Sequence, residues 1–321
     1  MKIKGKGLNL TGQLLLLSAT IVWGSSFIIL KETIQNLPAL YVIGVRFLSS
    51  ALLLGVIFFG KIKKINRRVF CDGLILGIVL ALAYITQTLG LKYIGAGKNA
   101  FITSLYCVMC PFMLWVIFGV NPKSYHILSA VLCVLGIGLV AASGAEEDGG
   151  NVVLGGFLTF LCAIFYALQI IFTGKFHEKK SDVMQLLILQ LFIAGVILSG
   201  CSLCFELPFC GISAYALNLD QFYRILYLTV VCTLYAQLAQ MVGLKFTESN
   251  QAAIILTLEA VFGVVFAIIL GDEKITPVLW AGFAVIFIGT LISELHVDLF
   301  KIFKRKKKEE DDKDGASDGI E

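Results

Sequence analysis

GLKYIGAGKNAFIT occupies residues 90–103, and GLKFTESNQAAIIL occupies residues 243–256, 153 positions further on. Gly, Leu and Lys open both strings, an aromatic comes fourth, and Ala100 and Ile102 recur in register as Ala253 and Ile255. A chain that says nearly the same thing twice is built from two related units. The places where the copies differ carry whatever the shared fold does not require.

Around these strings the chain is strongly apolar. Hydrophobic residues make up 58% and charged residues 15% of it, and its mean hydropathy is +0.88. Soluble domains run nearer half apolar and a quarter charged. The excess falls in runs of about 20 residues, the length that crosses a hydrocarbon layer of roughly 30 Å. Runs of that length predict helices, which satisfy their own backbone hydrogen bonds in lipid. Ten spans are expected, near 12–31, 38–60, 70–91, 97–118, 125–143, 153–173, 183–204, 222–244, 250–270 and 278–297. The first span follows Lys2, Lys4 and Lys6, but its apolar run is too long for a signal peptide and shows no small-residue cleavage site, so it reads as an uncleaved helix.

Lys and Arg set the orientation, because basic loops resist translocation. With the N-terminus in the cytoplasm, Lys31, Lys92, Lys98, Arg224 and Lys274 lie outside and Arg46 within a span, and the other 20 of the 26 basic residues lie inside. Both termini are then cytoplasmic, and the acidic loop GAEEDGGN faces out. The net charge of +4 is a membrane-surface signal, with no implication of nucleic acid. The tail at 298–321 reads as a basic anchor on lipid headgroups with an acidic, solvated end. Of the nine cysteines, the pairs in CVMC at 107–110 and CSLC at 201–204 lie far along the chain from the three histidines. They read as packing residues, with neither a metal nor a cofactor expected.

The repeated string joins spans three and four in one copy and spans eight and nine in the other. Each unit therefore holds five helices, an odd number, so the second enters the membrane from the opposite side. The expected organisation is a cytoplasmic N-terminus at 1–11, one repeat at 12–143, the other at 153–297 and the charged tail. The fold class is an all-α membrane protein of two inverted five-helix repeats, an arrangement that builds transporters with a site near the midplane.

Four stretches resemble the EamA family of the drug/metabolite transporter superfamily: WGSSFIILK (23–31), RFLSSALLL (46–54), GLKYIGAGKNAFITSLY (90–106) ahead of Pro111, and LGDEKITPVLWAGFAVIFIGTLI (270–292). The resemblance covers roughly residues 12 to 297 and implies export or import of amino acids, metabolites or drugs. It also implies that spans five and ten lie outside the bundle. Where the family usually carries Glu-Pro in span nine, this chain has Glu259-Ala260, which predicts a straighter helix there.

Polar groups in a span face a cavity or a partner helix. Helical spacing puts Asn99, Thr103, Tyr106 and Cys110 of span four on one face. Adding 153 makes Glu259 the counterpart of Tyr106, and makes Gln237 and Gln240 the counterparts of Tyr84 and Gln87. Span one offers Trp23 and Ser26, span six Tyr166 and Gln169, and span two Arg46, with Gln190 expected opposite it. A burial without partner would cost Glu259 several kcal/mol. Arg46 neutralises it, or a substrate cation does, or it holds a proton. The expectation is a plasma-membrane carrier of a small molecule, working by alternating access, with export as the direction. A channel-like permease and an intramembrane enzyme are the alternatives, and no GxxxxGK[ST] phosphate loop occurs.

Overall fold

The computed structural model describes residues 6–142, 151–178, 181–247, 249–270 and 276–295. Most of the acidic loop at 144–151, Lys179, Lys180, the connection with Lys274 and the tail at 298–321 lie outside the described residues. Every regular element among those described is helical. Besides the short turns Phe59–Ile62 and Ile212–Tyr215, they are in chain order α1 (Lys6–Ile34), α2 (Ala39–Ile57), α3 (Arg67–Leu91), α4 (Ala96–Phe118), α5 (Ser124–Ala142), α6 (Val152–Glu178), α7 (Val183–Cys210), α8 (Leu219–Thr229 continued by Ala236–Phe246), α9 (Ser249–Ile269) and α10 (Pro277–Glu294). By length and hydropathy α1–α4 and α6–α8 are able to cross a membrane, seven in all, while α5, α9 and α10 count as shorter apolar helices over their described residues. Val56, Val116, Val134 and Val153 stand exposed around the outside. An apolar surface of that extent suits lipid rather than water.

In lipid, helices associate through close packing and interhelical hydrogen bonds, so small residues mark their crossings. A Cβ added to Gly90 on α3 would lie 2.9 Å from the Gly155 carbonyl oxygen on α6. One added to Gly243 on α8 would lie 3.0 Å from the Gly12 carbonyl oxygen on α1. Gly90 and Gly243 are the first letters of the two repeated strings, which gives those letters their physical reason. Gly136 and Gly282 join α5 to α10 in the same way, at 3.0 and 3.1 Å.

The neighbours follow one pattern. Helix α3 packs on α6 and α7, and α8 packs on α1 and α2; α4 lies on α6 and α9, and α9 lies on α4 and α1. Exchanging the two halves of the chain maps each of these contacts onto another, or onto itself in the case of α4–α9. The α2–α7 contact maps onto itself: Gly44 lies against Ser199, and Gly195 lies against Leu48. Gly77 of α3 lies against Ile193 and the Gln190 carbonyl of α7, and the equivalent stretch of α8 lies against Ser50 and Arg46 of α2, the placement expected if Gln190 answers Arg46.

Helix ends at the rim are closed by side chains. Asn66 caps α3 and Thr276 caps α10, and Asn218 closes a reciprocal box with Gln221 on α8. Asp182 accepts from the Met184 and Gln185 amides of α7 at 2.9 and 3.2 Å and from Lys61 Nζ at 2.6 Å. Partial burial pushes its pKa up, but these donors outweigh that and hold it below the usual carboxylate value. Its contribution to stability is therefore full at neutral pH and fades as the pH falls through the lowered value.

Gly90→Ala should destabilise the protein by about 1–3 kcal/mol, because the new methyl meets backbone that cannot swing aside. Gly138→Ala, on the same scale, should be neutral, since nothing lies within 4 Å of its Cβ position. Thermal unfolding in detergent compares the two, and equal midpoints would show that the crossing is loose.

Candidate functional site

Where the helices of the two halves meet they leave a cavity of about 130 Å³. Trp23, Ser26, Phe27 and Leu30 line it from α1, Arg46 from α2, Tyr84 and Gln87 from α3, and Thr103 and Tyr106 from α4. The second half answers with Tyr166, Gln169 and Ile170 from α6, Gln237 and Gln240 from α8, and Glu259 from α9. Twelve of the thirteen residues expected from the sequence thus border one space. Five pairs stand at equivalent places in the two halves: Trp23 with Tyr166, Ser26 with Gln169, Tyr84 with Gln237, Gln87 with Gln240 and Tyr106 with Glu259. None of the lining residues comes from α5 or α10.

Asn99 is the thirteenth, and it does not line the cavity. Helix α4 is broken at Ser104 and Leu105 into Ala96–Thr103 and Tyr106–Phe118. Asn99 and Thr103 share the first of these segments and one face of it, a turn apart. Asn99 turns instead between α3 and α6, where its amide donates to Thr159 Oγ1 at 2.8 Å and to the Gln87 carbonyl at 3.2 Å. Cys110 lies with its sulfur 3.9 Å from the Ala167 carbonyl of α6. Helix α9, by contrast, runs unbroken through Glu259.

Arg46 is buried, with 2% of its surface exposed. Its Nε donates to Thr233 Oγ1 at 2.6 Å, and Nη2 reaches the Cys232 carbonyl at 3.5 Å. The rings of Tyr84 and Phe47 lie 5.7 and 5.8 Å from the guanidinium carbon. Both acceptors belong to a π-helical turn, Val230–Tyr235, inside α8. Such a turn shifts the hydrogen-bond ladder by one residue and recurs at functional sites. Trp23 Nε1 also donates to the Cys232 carbonyl, at 3.0 Å, and Thr233 Oγ1 returns its own hydrogen to Leu228 O at 2.9 Å. The equivalent part of α3 is regular α-helix. The half that lacks the arginine carries the bulge that holds it.

Glu259 faces the same space from α9 and makes neither a hydrogen bond nor an ion pair with any described residue. Between the two charged groups runs an aromatic series. Tyr84 and Tyr166 have ring centres 5.8 Å apart, and Tyr106 and Tyr166 have theirs 6.2 Å apart. Gln87 donates to Thr103 at 3.3 Å, and Gln169 donates to Gln190 at 3.2 Å.

The cavity continues into a second space of about 590 Å³, with which it shares Tyr106, Gln169, Ile170, Gln237 and Gln240. That space leads past Gln190 to Val183, Leu244 and Ala252. These residues stand at the end of the bundle where α7 and α9 begin, beside the basic turn that holds Lys61. At the opposite end, beyond Phe27 and Leu30, polar contacts tie the helices together. Arg224 of α8 pairs with Glu32 of α1 and with Asp220. Tyr41 and Tyr215 meet edge to face at 4.9 Å.

Glu206 completes that end, and the sequence reading passed over it. Helix α2 starts after Pro38, which offers no side-chain cap. The Glu206 carboxylate supplies one from α7, accepting from the Leu40 amide at 3.1 Å, from the Tyr41 amide at 3.2 Å and from Ser202 Oγ at 2.7 Å. An anion there also meets the positive end of the helix dipole. The signal available in the sequence was a helix start with no Ser, Thr, Asp or Asn before it.

A helical bundle with an apolar exterior and a polar, charged cavity shared by two similar halves defines a multi-pass membrane transporter. The model of the EamA-like transporter family matches residues 10–142 and again 153–295, and the chain belongs to that family. It is 29% identical over 279 residues to an uncharacterized transporter of Archaeoglobus fulgidus, covering 86% of this chain and 83% of that one. To a probable amino-acid metabolite efflux pump of Escherichia coli it is 25% identical over 305 residues, covering 91% and 96%. A solved crystal structure with 12% sequence identity shares the fold, with a TM-score of 0.63 over 90% of this chain and 99% of that one.

Glu206→Ala should cost about 1 kcal/mol, the usual value of an N-terminal cap. Glu206→Gln, which keeps an acceptor oxygen, should lose less. Thermal unfolding in detergent measures both, and an unchanged midpoint for Glu206→Ala would show that water caps α2 equally well.

Proposed function

We propose that the chain is a secondary carrier of the cell membrane that exports a small metabolite, an amino acid or a drug-like compound, by alternating access. The observation that carries this reading is the single cavity lined by equivalent residues of both halves. Two like units meeting at one polar site can exchange roles by rocking, which opens the site first to one face and then to the other. Ten spans in two inverted five-helix repeats give the geometry for that exchange, with 12–143 and 153–297 as the moving units. The contacts that map onto one another when the halves are swapped support it.

The basic end of the bundle is the cytoplasmic one on this reading, and both termini lie there. The cavity opens toward that end, so the conformation described is inward-facing. Glu32 with Arg224, Glu206 with α2, and Tyr41 with Tyr215 then form the closed outer gate. The name of the Escherichia coli relative supports efflux of an amino-acid metabolite. A channel would call for rings of like residues around an open pore, and here one end of the cavity is tied shut.

Orientation is tested by cysteine labelling in a cysteine-free background. A membrane-impermeant maleimide should reach a cysteine in the 144–151 loop of intact cells and one in the 61–68 turn only after lysis. The reverse pattern would overturn the orientation.

Glu259 is the group on which coupling depends. Charge at this position has no counterpart in the other half, where Tyr106 stands, so the fold does not require it. A carboxylate facing a cavity can hold a proton or a substrate cation as the halves rock. Glu259→Gln should leave the protein folded and inserted yet reduce counterflow in proteoliposomes by at least tenfold. Wild-type counterflow by that variant at every pH from 5 to 8 would sink the assignment.

A further inference from the structure

The cavity contains two opposite charges that do not meet. The Arg46 guanidinium is buried, and all its partners among the described residues are neutral: Thr233 Oγ1, the Cys232 carbonyl and two aromatic rings. A guanidinium has five N–H donors in a planar fork. Described residues engage only Nε and Nη2, so Nη1 is left for something in the cavity that Arg46 lines. Glu259 lines the same cavity from a different helix and has no described partner. A buried charge held by neutral groups alone is costly, and a permanent salt bridge would have removed the cost from both at once. The fold keeps them apart.

We propose that Arg46 and Glu259 are the two ends of one site for a zwitterion. An α-amino acid places its carboxylate on the free edge of the guanidinium and its ammonium on Glu259. Its side chain then lies against Tyr84, Tyr106 and Tyr166. The inference rests on the transport reading above and narrows its substrate to a class. It also gives the ligand a fixed direction. The counterpart of Glu259 is Tyr106, and no described residue of α7 lines the cavity opposite Arg46, so exchanging the halves does not produce a second, reversed site. Thr233 and the π-helical turn are positioning groups. They hold Nε from behind and leave the other edge of the fork toward the cavity.

Charge-assisted hydrogen bonds of this kind are each worth roughly tenfold to a hundredfold in affinity. Thermal-shift titration of the purified full chain in detergent reads them, with L-leucine and L-phenylalanine as zwitterions. The probes with one charge are isoamylamine and phenethylamine, which lack the carboxylate, and 4-methylpentanoate and 3-phenylpropionate, which lack the amine. Wild type should bind at least one of the two amino acids at least tenfold tighter than its amine or its acid. Arg46→Gln should bring the amino acid down to the affinity of the amine and leave the amine unchanged. Glu259→Gln should bring it down to that of the acid and leave the acid unchanged. Thr233→Val keeps the charge and frees Nε, and should weaken the amino acid several-fold without touching the amine, a selectivity that loss of packing alone does not produce. If Arg46→Gln does not fold, Thr233→Val and Arg46→Lys carry the same comparison.

The proposal falls if neither amino acid shifts the wild type, if amine or acid binds as tightly as the amino acid, or if the variants weaken all three alike. Counterflow of the same six compounds separates the two levels of the argument. Movement of the amines or acids without preference for the zwitterion overturns this site and leaves the carrier standing. Absence of movement of any of the six, by a protein that binds them, overturns the carrier.

Discussion

A backbone carbonyl that loses its helical partner inside a bilayer has no water to turn to, and the Cys232 carbonyl is the one on which the cavity depends. The π-helical turn in α8 displaces it from the regular ladder, and two donors from other helices take it up, the indole of Trp23 and the guanidinium of Arg46. The same turn presents Thr233 to Arg46 Nε. The guanidinium is thereby held in the interior by neutral groups, facing a polar space. Without the turn, α8 would offer neither acceptor. The same accounting reaches the rim, where α2 cannot cap itself after Pro38 and takes Glu206 from α7. In each case an unmet backbone group recruits a side chain from the other half of the chain.

Shape and chemistry come from different parts of the repeat. Shape comes from what the copies share: Gly90 against Gly155 and Gly243 against Gly12 let the helices approach, and the same contact serves both halves. Chemistry comes from what they do not share. Arg46 lines the cavity from α2 where no described residue of α7 does, Glu259 has Tyr106 as its counterpart, and the π-helical turn of α8 has regular helix in α3. Two like units form the cavity, and their few differences give it polarity.

Much of this was legible in the sequence, and the parts that were not share a cause. The faces of α1, α3, α6 and α8 could be read because these helices keep their period between Trp23 and Ser26, Tyr84 and Gln87, Tyr166 and Gln169, and Gln237 and Gln240. Asn99 shares the face of Thr103 but lies one turn nearer the helix start, where its amide is taken up by Thr159 and the Gln87 carbonyl, partners distant in the chain. Glu206 was missed because its partners, Leu40 and Tyr41, are distant in the chain. Local pattern reports helices and their faces. A break, a bulge or a cap supplied from elsewhere is decided by packing, which a period does not record.

Single cysteines at Gln87 and at Gln240, in a chain free of other cysteines, test the central claim that both halves border one alternately opened site. Right-side-out and inside-out vesicles are each exposed to an impermeant maleimide, with and without a transported amino acid. Both positions should label readily from the basic face, label slowly from the other face, and change their rates together when the amino acid is added. Labelling of Gln87→Cys from one face and Gln240→Cys from the other, or a response of one without the other, would contradict a shared cavity.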